Sequence, residues 1–367
     1  MSDSLRFVDI IDTQLRTFFD HKRDEVNEIS PDLAPLVDYS HGLLRGGKRF
    51  RARFCYWGWR AVAGSQESAG ATHPDHPAFV LATALEVFHA AALVHDDIMD
   101  RSDTRRGEPS AHRHFERHHH NEGFGLDAEH YGASTALLVG DLLLAWSSEL
   151  VTQALSEVGT PSVIAGTRRE FHRMWNEVTL GQYLDIHEES AWPTVSDDER
   201  FHRAMRVVTF KSAKYSMEAP LLLGASLADA DHEQLTELAR FGLPLGVAFQ
   251  LRDDLLGVFG DPEATGKPAG DDLREGKRTV LIALAEAQMP PGVKSVFNDM
   301  LGDPEVTDEQ IAIMQQTLRD TGAVDRLESI INESAEKSLT ALSSASLDPE
   351  ALGELRRLAD AVVSRNS

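Results

Sequence analysis

Residues 93–107 read Leu-Val-His-Asp-Asp-Ile-Met-Asp-Arg-Ser-Asp-Thr-Arg-Arg-Gly, an acidic cluster followed by paired arginines. Upstream of it, apolar residues recur three or four positions apart, at Leu81, Leu85, Phe88 and Ala92. This spacing predicts a helix with one buried face. At about 100° per residue, Asp96 and Asp100 lie within roughly 40° of each other, and Asp103 joins them if the helix continues that far. The stretch therefore predicts a core helix that ends in clustered carboxylates.

Carboxylates on one helix face repel each other, by roughly a few tenths of a kcal/mol per pair in water. Divalent cations, which prefer oxygen ligands, would turn this repulsion into binding. The plain alternative is a solvated acidic face, which is common on an acidic chain. Arg105 and Arg106 stand beside Gly107, directly after the acids. Because groups for cations and for anions come together here, we favour a site for a metal-bridged phosphate.

Composition limits the classes of protein to which the chain can belong. Its 367 residues, 42% of them hydrophobic, suffice for one large all-helical domain or two smaller ones. The formal charge of −23 argues against nucleic acid or an anionic membrane as the main partner. The single cysteine, Cys55, excludes an internal disulfide framework and fits a reducing cytoplasm. With no basic N-terminal region before an apolar core, and no uninterrupted apolar span of about 20 residues, we expect a soluble cytoplasmic protein.

Helical periodicity continues through most of the chain, and alternating β-branched runs are scarce, so no sheet is expected. Near one predicted helix boundary the chain reads Gly-Gly-Lys-Arg-Phe-Arg over residues 46–51. The two glycines allow a close backbone approach, and Lys48, Arg49 and Arg51 suit the binding of a diphosphate. An ordinary helix junction is the alternative for this motif alone. A histidine-rich segment, residues 112–130, lacks a regular metal-ligand spacing; its glycines indicate a mobile solvated loop, to which we assign no role.

A second acidic motif, Phe-Gln-Leu-Arg-Asp-Asp-Leu-Leu-Gly at residues 249–257, again ends an apolar run. Gly-Lys-Pro at 266–268 and Asp-Asp-Leu-Arg-Glu-Gly-Lys-Arg-Thr at 271–279 follow, and they favour a loop that covers a phosphate. Two Asp-Asp pairs of this kind could face each other across a cavity and hold several Mg²⁺ ions.

Taken together, these ordered motifs resemble those of the trans-type polyprenyl diphosphate synthases, and most of all the bacterial geranylgeranyl diphosphate synthases. The resemblance covers residues 35–284. It implies an all-α fold of the isoprenoid synthase type, a helical bundle around a deep central cavity. Residues 1–367 would then form a single domain, with the motifs in 35–284 and further helices in 285–367. The family usually forms homodimers, so a homodimer is expected.

The resemblance also implies roles for individual residues. It makes the acids of the two motifs the ligands of three Mg²⁺ ions per active site: Asp96, Asp97, Asp100, Asp253 and Asp254. It places the homoallylic substrate, isopentenyl diphosphate, on Lys48, Arg51, His89 and Arg106. It places the allylic diphosphate on Arg105, Lys211, Ser212, Gln250, Lys267 and Lys277. The family's second motif usually ends in a third aspartate, whereas this chain has Gly257; a water or Asp261 could take that acid's place.

The family's reaction joins isopentenyl diphosphate to dimethylallyl, geranyl or farnesyl diphosphate by ionisation, condensation and elimination. It has no dedicated side-chain base, and none is assigned here. An aromatic residue five positions before the first aspartate stops growth at farnesyl diphosphate in the family, but this chain has Ala91 there and Ala92 beside it. Phe88, about one turn away, is the expected floor, which predicts geranylgeranyl diphosphate; if Phe88 only packs between helices, products are longer.

Two other classes remain as alternatives. A class I terpene cyclase also has an aspartate-rich helix, but it uses no second substrate and has no need of the basic motif at 46–51. A regulatory subunit of a heteromeric synthase would fit the missing acid at Gly257, but such subunits typically lose acids in both motifs. The first motif is complete here, so we favour an active synthase.

Overall fold

The computed structural model describes residues 3–68, 73–260 and 270–363, with the side chains of 3–6 and 65–68 excepted. Almost all of this part of the chain is helical, so the predicted all-α class is confirmed. In chain order the helices are α1 (Asp3–Ile29), α2 (Ala34–Leu43), α3 (Phe50–Ser68), α4 (Pro77–Met99), α5 (Ala111–Asn121), α6 (Ala128–Ser156), α7 (Pro161–Ala191), α8 (Asp197–Val207), a π-helix (Val208–Glu218), α9 (Ala219–Leu227), α10 (His232–Phe259), α11 (Asp271–Glu275), α12 (Val280–Glu286), α13 (Pro291–Met300), α14 (Asp308–Asp320), α15 (Ala323–Ser343) and α16 (Pro349–Val363). Short 3₁₀ turns lie at Pro31–Leu33 and Trp192–Thr194.

The described chain divides into two compact units. The first is drawn from Met1–Arg168, Pro220–Ala230 and Leu347–Ala351, and the second from Arg169–Ala219, Asp231–Ser346 and Leu352–Ser367. That residues 1–367 form a single domain remains a prediction, which this division into two units does not test.

Helix α4 is the core of the first unit and packs against α1, α3, α5 and α6. Its residues Ala78 to Phe88 are all buried, which is why its sequence is apolar nearly all round. Small residues let neighbouring helices approach closely. A Cβ atom added to Gly224 of α9 would lie 1.8 Å from the carbonyl oxygen of Cys55 on α3. Cys55 is buried there, as expected for a small packing residue.

Helix α10 is the corresponding core element of the second unit and packs against the π-helix and α15. A capping box of Asp231 and Gln234 fixes its first turn. At Gly246 a Cβ would lie 2.3 Å from the carbonyl oxygen of Ala213, so glycine is needed for the contact with the π-helix. The result is one continuous helix that carries the second acidic motif at its C-terminal end.

Two expectations about secondary structure were wrong. A two-residue antiparallel ladder pairs Thr104–Arg105 with Glu108–Pro109, although no sheet was expected. Its tight turn uses positive φ at Arg106 and Gly107, a conformation that the Arg-Arg-Gly sequence did not reveal. The histidine-rich segment, residues 112–130, is mostly helical: His112 to Asn121 lie on α5 and residues 128–130 on α6, and only residues 122–127 form a loop between the two helices. His119 is buried and contacts the carbonyl oxygen of Gly125 at 2.8 Å.

The expectation that no segment is apolar enough to span a membrane was also wrong. Among the described residues, α4 and α6 are long and apolar enough by length and composition alone. In α4, 78% of the apolar window is buried inside the protein, which is what a core helix shows.

Candidate active site

The first acidic motif lies where α4 ends. Asp100 closes the helix, its amide donating to the carbonyl oxygen of Asp96 at 2.8 Å. Since the helix stops here, Asp103 is not on the same helical face, and its carboxylate instead accepts from Arg113 Nε at 2.6 Å. Asp96 and Asp100 are half-buried, whereas Asp97 is only 2% exposed. The three acids of the motif therefore lie in two environments.

Asp97 is bound by Arg105, which the β-ladder presents to it. Arg105 Nε donates to both carboxylate oxygens of Asp97, at 2.9 and 3.2 Å, and Nη2 contacts the same group. The Nη2 atom also lies 3.8 Å from a carboxylate oxygen of Asp96. This bidentate pair places a guanidinium directly beside the acidic end of α4.

The turn at Arg106 lies against the glycine-rich loop. Arg106 Nη1 donates to the carbonyl oxygens of Leu43 and Arg45, at 3.2 and 3.4 Å. A Cβ on Gly47 would stand 3.8 Å from Arg106 Nη2. Two motifs that are about 60 positions apart in the sequence thus meet in the first unit, and Lys48 is exposed next to them.

Arg49 stabilises this loop, whereas the sequence pattern had grouped it with Lys48 and Arg51 as a residue suited to binding a diphosphate. Its positive φ of 53° turns it inward, where Nη2 pairs with Asp12 at 2.8 Å and Nη1 with Glu86 at 3.2 Å. Glu86 also accepts from the amide of Ala52 at 3.2 Å. Arg49 thereby holds the loop against α1 and α4.

His89 reports the electrostatics of this region. Burial lowers its pKa well below the usual value, and the four arginines Arg51, Arg106, Arg105 and Arg49 lower that pKa further. The pKa of Arg106 is itself lowered, by burial and by Arg49. His89 is therefore neutral, and positive charge is concentrated around it in a protein whose net charge is −23. Such a region is suited to binding an anion.

The second acidic motif lies near the end of α10 in the second unit. Asp254 is 6% exposed and accepts from Gln250 Nε2 at 2.8 Å. Burial raises the pKa of Asp254 to about 8, and the carboxylates of Asp272 and Asp253 contribute to that rise. Gln250, predicted to bind the allylic diphosphate, here positions Asp254.

Position 257 lies one turn beyond this acidic pair. A Cβ added to Gly257 would stand 2.1 Å from Oδ2 of Asp272, a residue of α11. Lys277 Nζ lies 3.9 Å from Oδ1 of Asp272 and 2.7 Å from Glu275 Oε2. The structure thus brings the carboxylate of Asp272 to the place where the motif lacks its last acid.

The remaining predicted residues are placed as follows. Lys211 and Ser212 lie on the π-helix, and Lys211 pairs with Asp185 of α7. A Cβ on Gly181 would be 2.3 Å from the amide nitrogen of Lys211, so α7 approaches the π-helix closely. Lys267 and Asp261 lie outside the described residues.

The three residues expected to set product length lie on α4. Phe88 is 2% exposed, Ala91 is fully buried and Ala92 is half-buried. Because α4 is continuous from Pro77 to Met99, Phe88 lies about 12 Å along the axis from Asp96, at about 1.5 Å per residue. Ala92 lies between them.

The donors present fit a divalent cation that is shared with a substrate. Within the described ranges, no group of three or more His, Cys, Asp or Glu side chains is arranged to hold a metal by itself. Mg²⁺ bound to phosphates needs only one or two carboxylates, and keeps water in its other positions. The half-buried carboxylates Asp96 and Asp100, one turn apart at the end of α4, meet this requirement.

Comparison with known proteins places this site in a family. Residues 35–318 match the family model described as polyprenyl synthetase. The chain belongs to this family. A short chain isoprenyl diphosphate synthase of Methanocaldococcus jannaschii is 30% identical over 82% of this chain and 78% of its own length. The polyprenyl synthetase family consists of prenyl-transferring enzymes, and the chain is accordingly a trans-prenyltransferase.

Solved structures agree with the family assignment. A geranylgeranyl pyrophosphate synthase of Corynebacterium glutamicum, in complex with isoprenyl diphosphate and magnesium, is 36% identical, with a TM-score of 0.89 over 98% of this chain and 99% of that one. A Caulobacter crescentus polyprenyl synthase, in complex with calcium and isoprenyl diphosphate, is 26% identical, with a TM-score of 0.75 over 99% and 98%. The similarity extends well beyond the motifs, through the C-terminal helices.

Proposed function

We propose that the protein joins isopentenyl diphosphate to allylic diphosphates and releases geranylgeranyl diphosphate as its main product. The observation that carries the proposal is the arginine-rich region around His89, which lies in the same unit as the carboxylate end of α4. The arginine-rich region suits a diphosphate, and the carboxylates at the end of α4 suit a cation bound to a diphosphate.

The basic region would hold isopentenyl diphosphate. Arg51, Arg106 and exposed Lys48 supply positive charge, and neutral His89 can donate one hydrogen bond without adding charge. Arg49 keeps the glycine-rich loop in place through Asp12 and Glu86. The homoallylic substrate would thereby be fixed with its alkene oriented toward the allylic carbon.

The allylic diphosphate would be held by Arg105, Lys211, Ser212, Gln250, Lys267 and Lys277. Asp96 and Asp100, with Asp253 and Asp254, would hold three Mg²⁺ ions on it. Such ions stabilise the negative charge that develops on the diphosphate as the allylic carbon–oxygen bond breaks. Asp97 would act through Arg105, since the two are paired. We assign no side-chain base for the final loss of a proton.

Chain growth would run along α4 away from its acidic end. Ala91 and Ala92 are too small to stop it, and Phe88 stands about one turn further on. Phe88 is three residues beyond Ala91, and at about 1.5 Å per residue this moves the floor by about 4.5 Å, near the length of one isoprene unit, which favours geranylgeranyl over farnesyl diphosphate. A floor deeper than Phe88 would give longer products.

A homodimer in the cytoplasm, without integral membrane association, is part of the proposal. The burial of α4 and the net charge of −23 support the lack of integral membrane association. Size-exclusion chromatography with light scattering measures the oligomeric state directly.

The test is to incubate the isolated chain with Mg²⁺, isopentenyl diphosphate and dimethylallyl, geranyl or farnesyl diphosphate. The dephosphorylated products are then separated by chromatography, and geranylgeraniol is expected from each primer. Cyclic hydrocarbon formed without isopentenyl diphosphate would instead identify a terpene cyclase. Activity that appears only after a second protein is added would identify a regulatory subunit.

A further inference from the structure

His95 links the acidic end of α4 to the neighbouring helix α6. It directly precedes Asp96, and its Nε2 atom lies 3.3 Å from the carbonyl oxygen of Leu137 on α6. A carbonyl oxygen can only accept, so Nε2 carries the hydrogen and donates it. The same oxygen has a second lone pair, which leaves the hydrogen bonds within α6 intact.

A glycine on α6 makes room for the ring of His95. A Cβ added to Gly140 would stand 2.1 Å from Nε2 of the ring, 2.4 Å from Cδ2 and 2.8 Å from Cε1. Real Cβ atoms essentially never make contacts this short. The ring can take its place because position 140 has no side chain, and any larger residue there must displace it.

A second contact holds the same two helices further from the acids. Ser147 Oγ of α6 donates to the carbonyl oxygen of Ala84 of α4 at 2.8 Å. Ala84 and His95 are about 16.5 Å apart along α4, at about 1.5 Å per residue. Two bonds from a side chain to a backbone carbonyl, one from each helix, therefore hold α4 and α6 in register, and the bond from His95 lies next to the acids.

The position of the ring also determines where the carboxylates point. At about 100° per residue, Asp96 lies about 100° around the helix axis from His95, and Asp100 about 140° from it. Because His95 is turned toward α6, both acids are turned away from α6. A carboxylate about 6 Å from the axis moves by about 2 Å when the helix end rotates by about 20°. Mg²⁺ requires oxygen ligands at about 2.0–2.1 Å in near-ideal octahedral geometry, so a shift of this size would weaken its binding.

The carboxylate of Asp141 is another group near the ring. One of its oxygens lies 3.6 Å from Nε2 of His95, and its side chain is 61% exposed. Exposed contacts of this kind contribute little. The carbonyl oxygen of Leu137 and the space at Gly140 therefore hold the ring.

We propose that His95 is a positioning residue, which holds the end of α4 against α6 so that Asp96 and Asp100 are correctly directed for a divalent cation. This inference rests on the proposed function, since it assumes a cation–diphosphate complex on these two acids. It assigns a role in cation binding to His95 and Gly140, neither of which would touch the cation.

Two substitutions of His95 test the hydrogen bond to α6. Gln can place its amide nitrogen close to the position of Nε2 and donate to Leu137, whereas the shorter Asn cannot reach that far. Binding of Mn²⁺ to the full chain in the presence of inorganic diphosphate is measured without turnover, from the electron paramagnetic resonance signal of free Mn²⁺. His95→Asn should weaken Mn²⁺ binding by about tenfold, as is typical when a group that orients a metal ligand is lost. His95→Gln should stay within about threefold of the original protein.

A second pair of variants changes glycines and leaves His95 intact. Gly140→Ala adds a Cβ that must displace the ring, and it should weaken Mn²⁺ binding about as much as His95→Asn does. Gly292→Ala is the matched control, because Gly292 is an exposed glycine on helix α13 whose added Cβ has nothing within 4 Å. It should leave the affinity for Mn²⁺ unchanged.

Steady-state kinetics separates positioning from a general loss of stability. His95→Asn should raise the Mg²⁺ concentration for half-maximal rate by about tenfold. The KM for isopentenyl diphosphate should change by less than about twofold, because Arg49 holds the glycine-rich loop of the basic region through its own contacts with Asp12 and Glu86.

Equal Mn²⁺ affinities in His95→Asn and His95→Gln would overturn the inference, and so would a lower melting temperature of His95→Asn with unchanged Mn²⁺ affinity. If His95→Asn does not fold, the comparison of Gly140→Ala with Gly292→Ala decides in the same way. The proposed function fails separately, if the unaltered chain binds Mn²⁺ and diphosphate but forms no prenyl product from isopentenyl diphosphate and any primer.

Discussion

Asp96 and Asp97 are adjacent in the first acidic motif, yet the structure predicts that their removal has different consequences. Asp97 is 2% exposed and is bound by Arg105 through both of its oxygens. Asp96 is more open, with its side chain 19% exposed, and lies 3.8 Å from the same arginine. Asp97→Asn should therefore reduce stability, and Asp96→Asn should reduce turnover with little effect on stability.

The size of the effect follows from the environment of the pair. Removing one partner of a buried ion pair costs roughly 3–5 kcal/mol, because the other charge stays buried. Arg105 is 16% exposed and Asn can still accept one hydrogen bond, so a loss of about 3 kcal/mol in the free energy of unfolding is expected. At about 2.1 cal/mol/K per residue, the unfolding entropy of 367 residues is about 0.8 kcal/mol/K. The melting temperature should then fall by about 4 °C.

Differential scanning calorimetry of the unaltered protein and both variants, without substrate or metal, measures this difference. The rate of prenyl transfer at saturating Mg²⁺ is measured on the same samples. The reasoning is refuted if Asp97→Asn melts at the original temperature, or if Asp96→Asn is the less stable variant of the two. Arg105→Lys offers a further check, because Lys cannot make the bidentate contact and should reproduce part of the stability loss.

Three further results are expected. Asp96→Ala and Asp100→Ala should each lower turnover by about a thousandfold or more, as the leaving diphosphate loses several kcal/mol of charge stabilisation; near-normal rates with intact circular dichroism would exclude both as ligands. Since the pKa of His89 is lowered in the folded state, only the unfolded chain takes up its proton as pH falls through about 6.5. Stability should therefore decrease from pH of about 7.5 to about 5.5, and urea titrations should show a smaller decrease for His89→Asn. Ala91→Phe should shorten the main product to farnesyl diphosphate and Phe88→Ala should lengthen it beyond geranylgeranyl, in chromatography of the dephosphorylated products; an unaltered distribution in both would place the floor elsewhere.

Local patterns along the chain were enough to predict the helical class and the family. The 3.6-residue spacing of apolar positions before Asp96 reflects one buried face, and α4 has that face. Periodicity did not predict the β-ladder at residues 104–109, because strands of two residues are too short to produce an alternating pattern. It also failed for His112 to His120, where polar residues with no clear apolar stripe nevertheless form α5.

Contacts between distant residues were beyond any local pattern. The sequence identifies Arg49, Arg105 and Arg106 only as basic residues. The fold gives each a different place: Arg49 pairs with Asp12 and holds the loop, Arg105 pairs with Asp97, and Arg106 lies next to Gly47. Likewise, Gly257 alone signified a missing acid. That the carboxylate of Asp272 comes to lie there depends on how α11 packs against α10, because a carboxylate 15 positions away reaches that space only through tertiary contacts. The local sequence determines where helices form and which residues carry charge. Tertiary packing determines the distances between those charges, and binding and pKa depend on these distances.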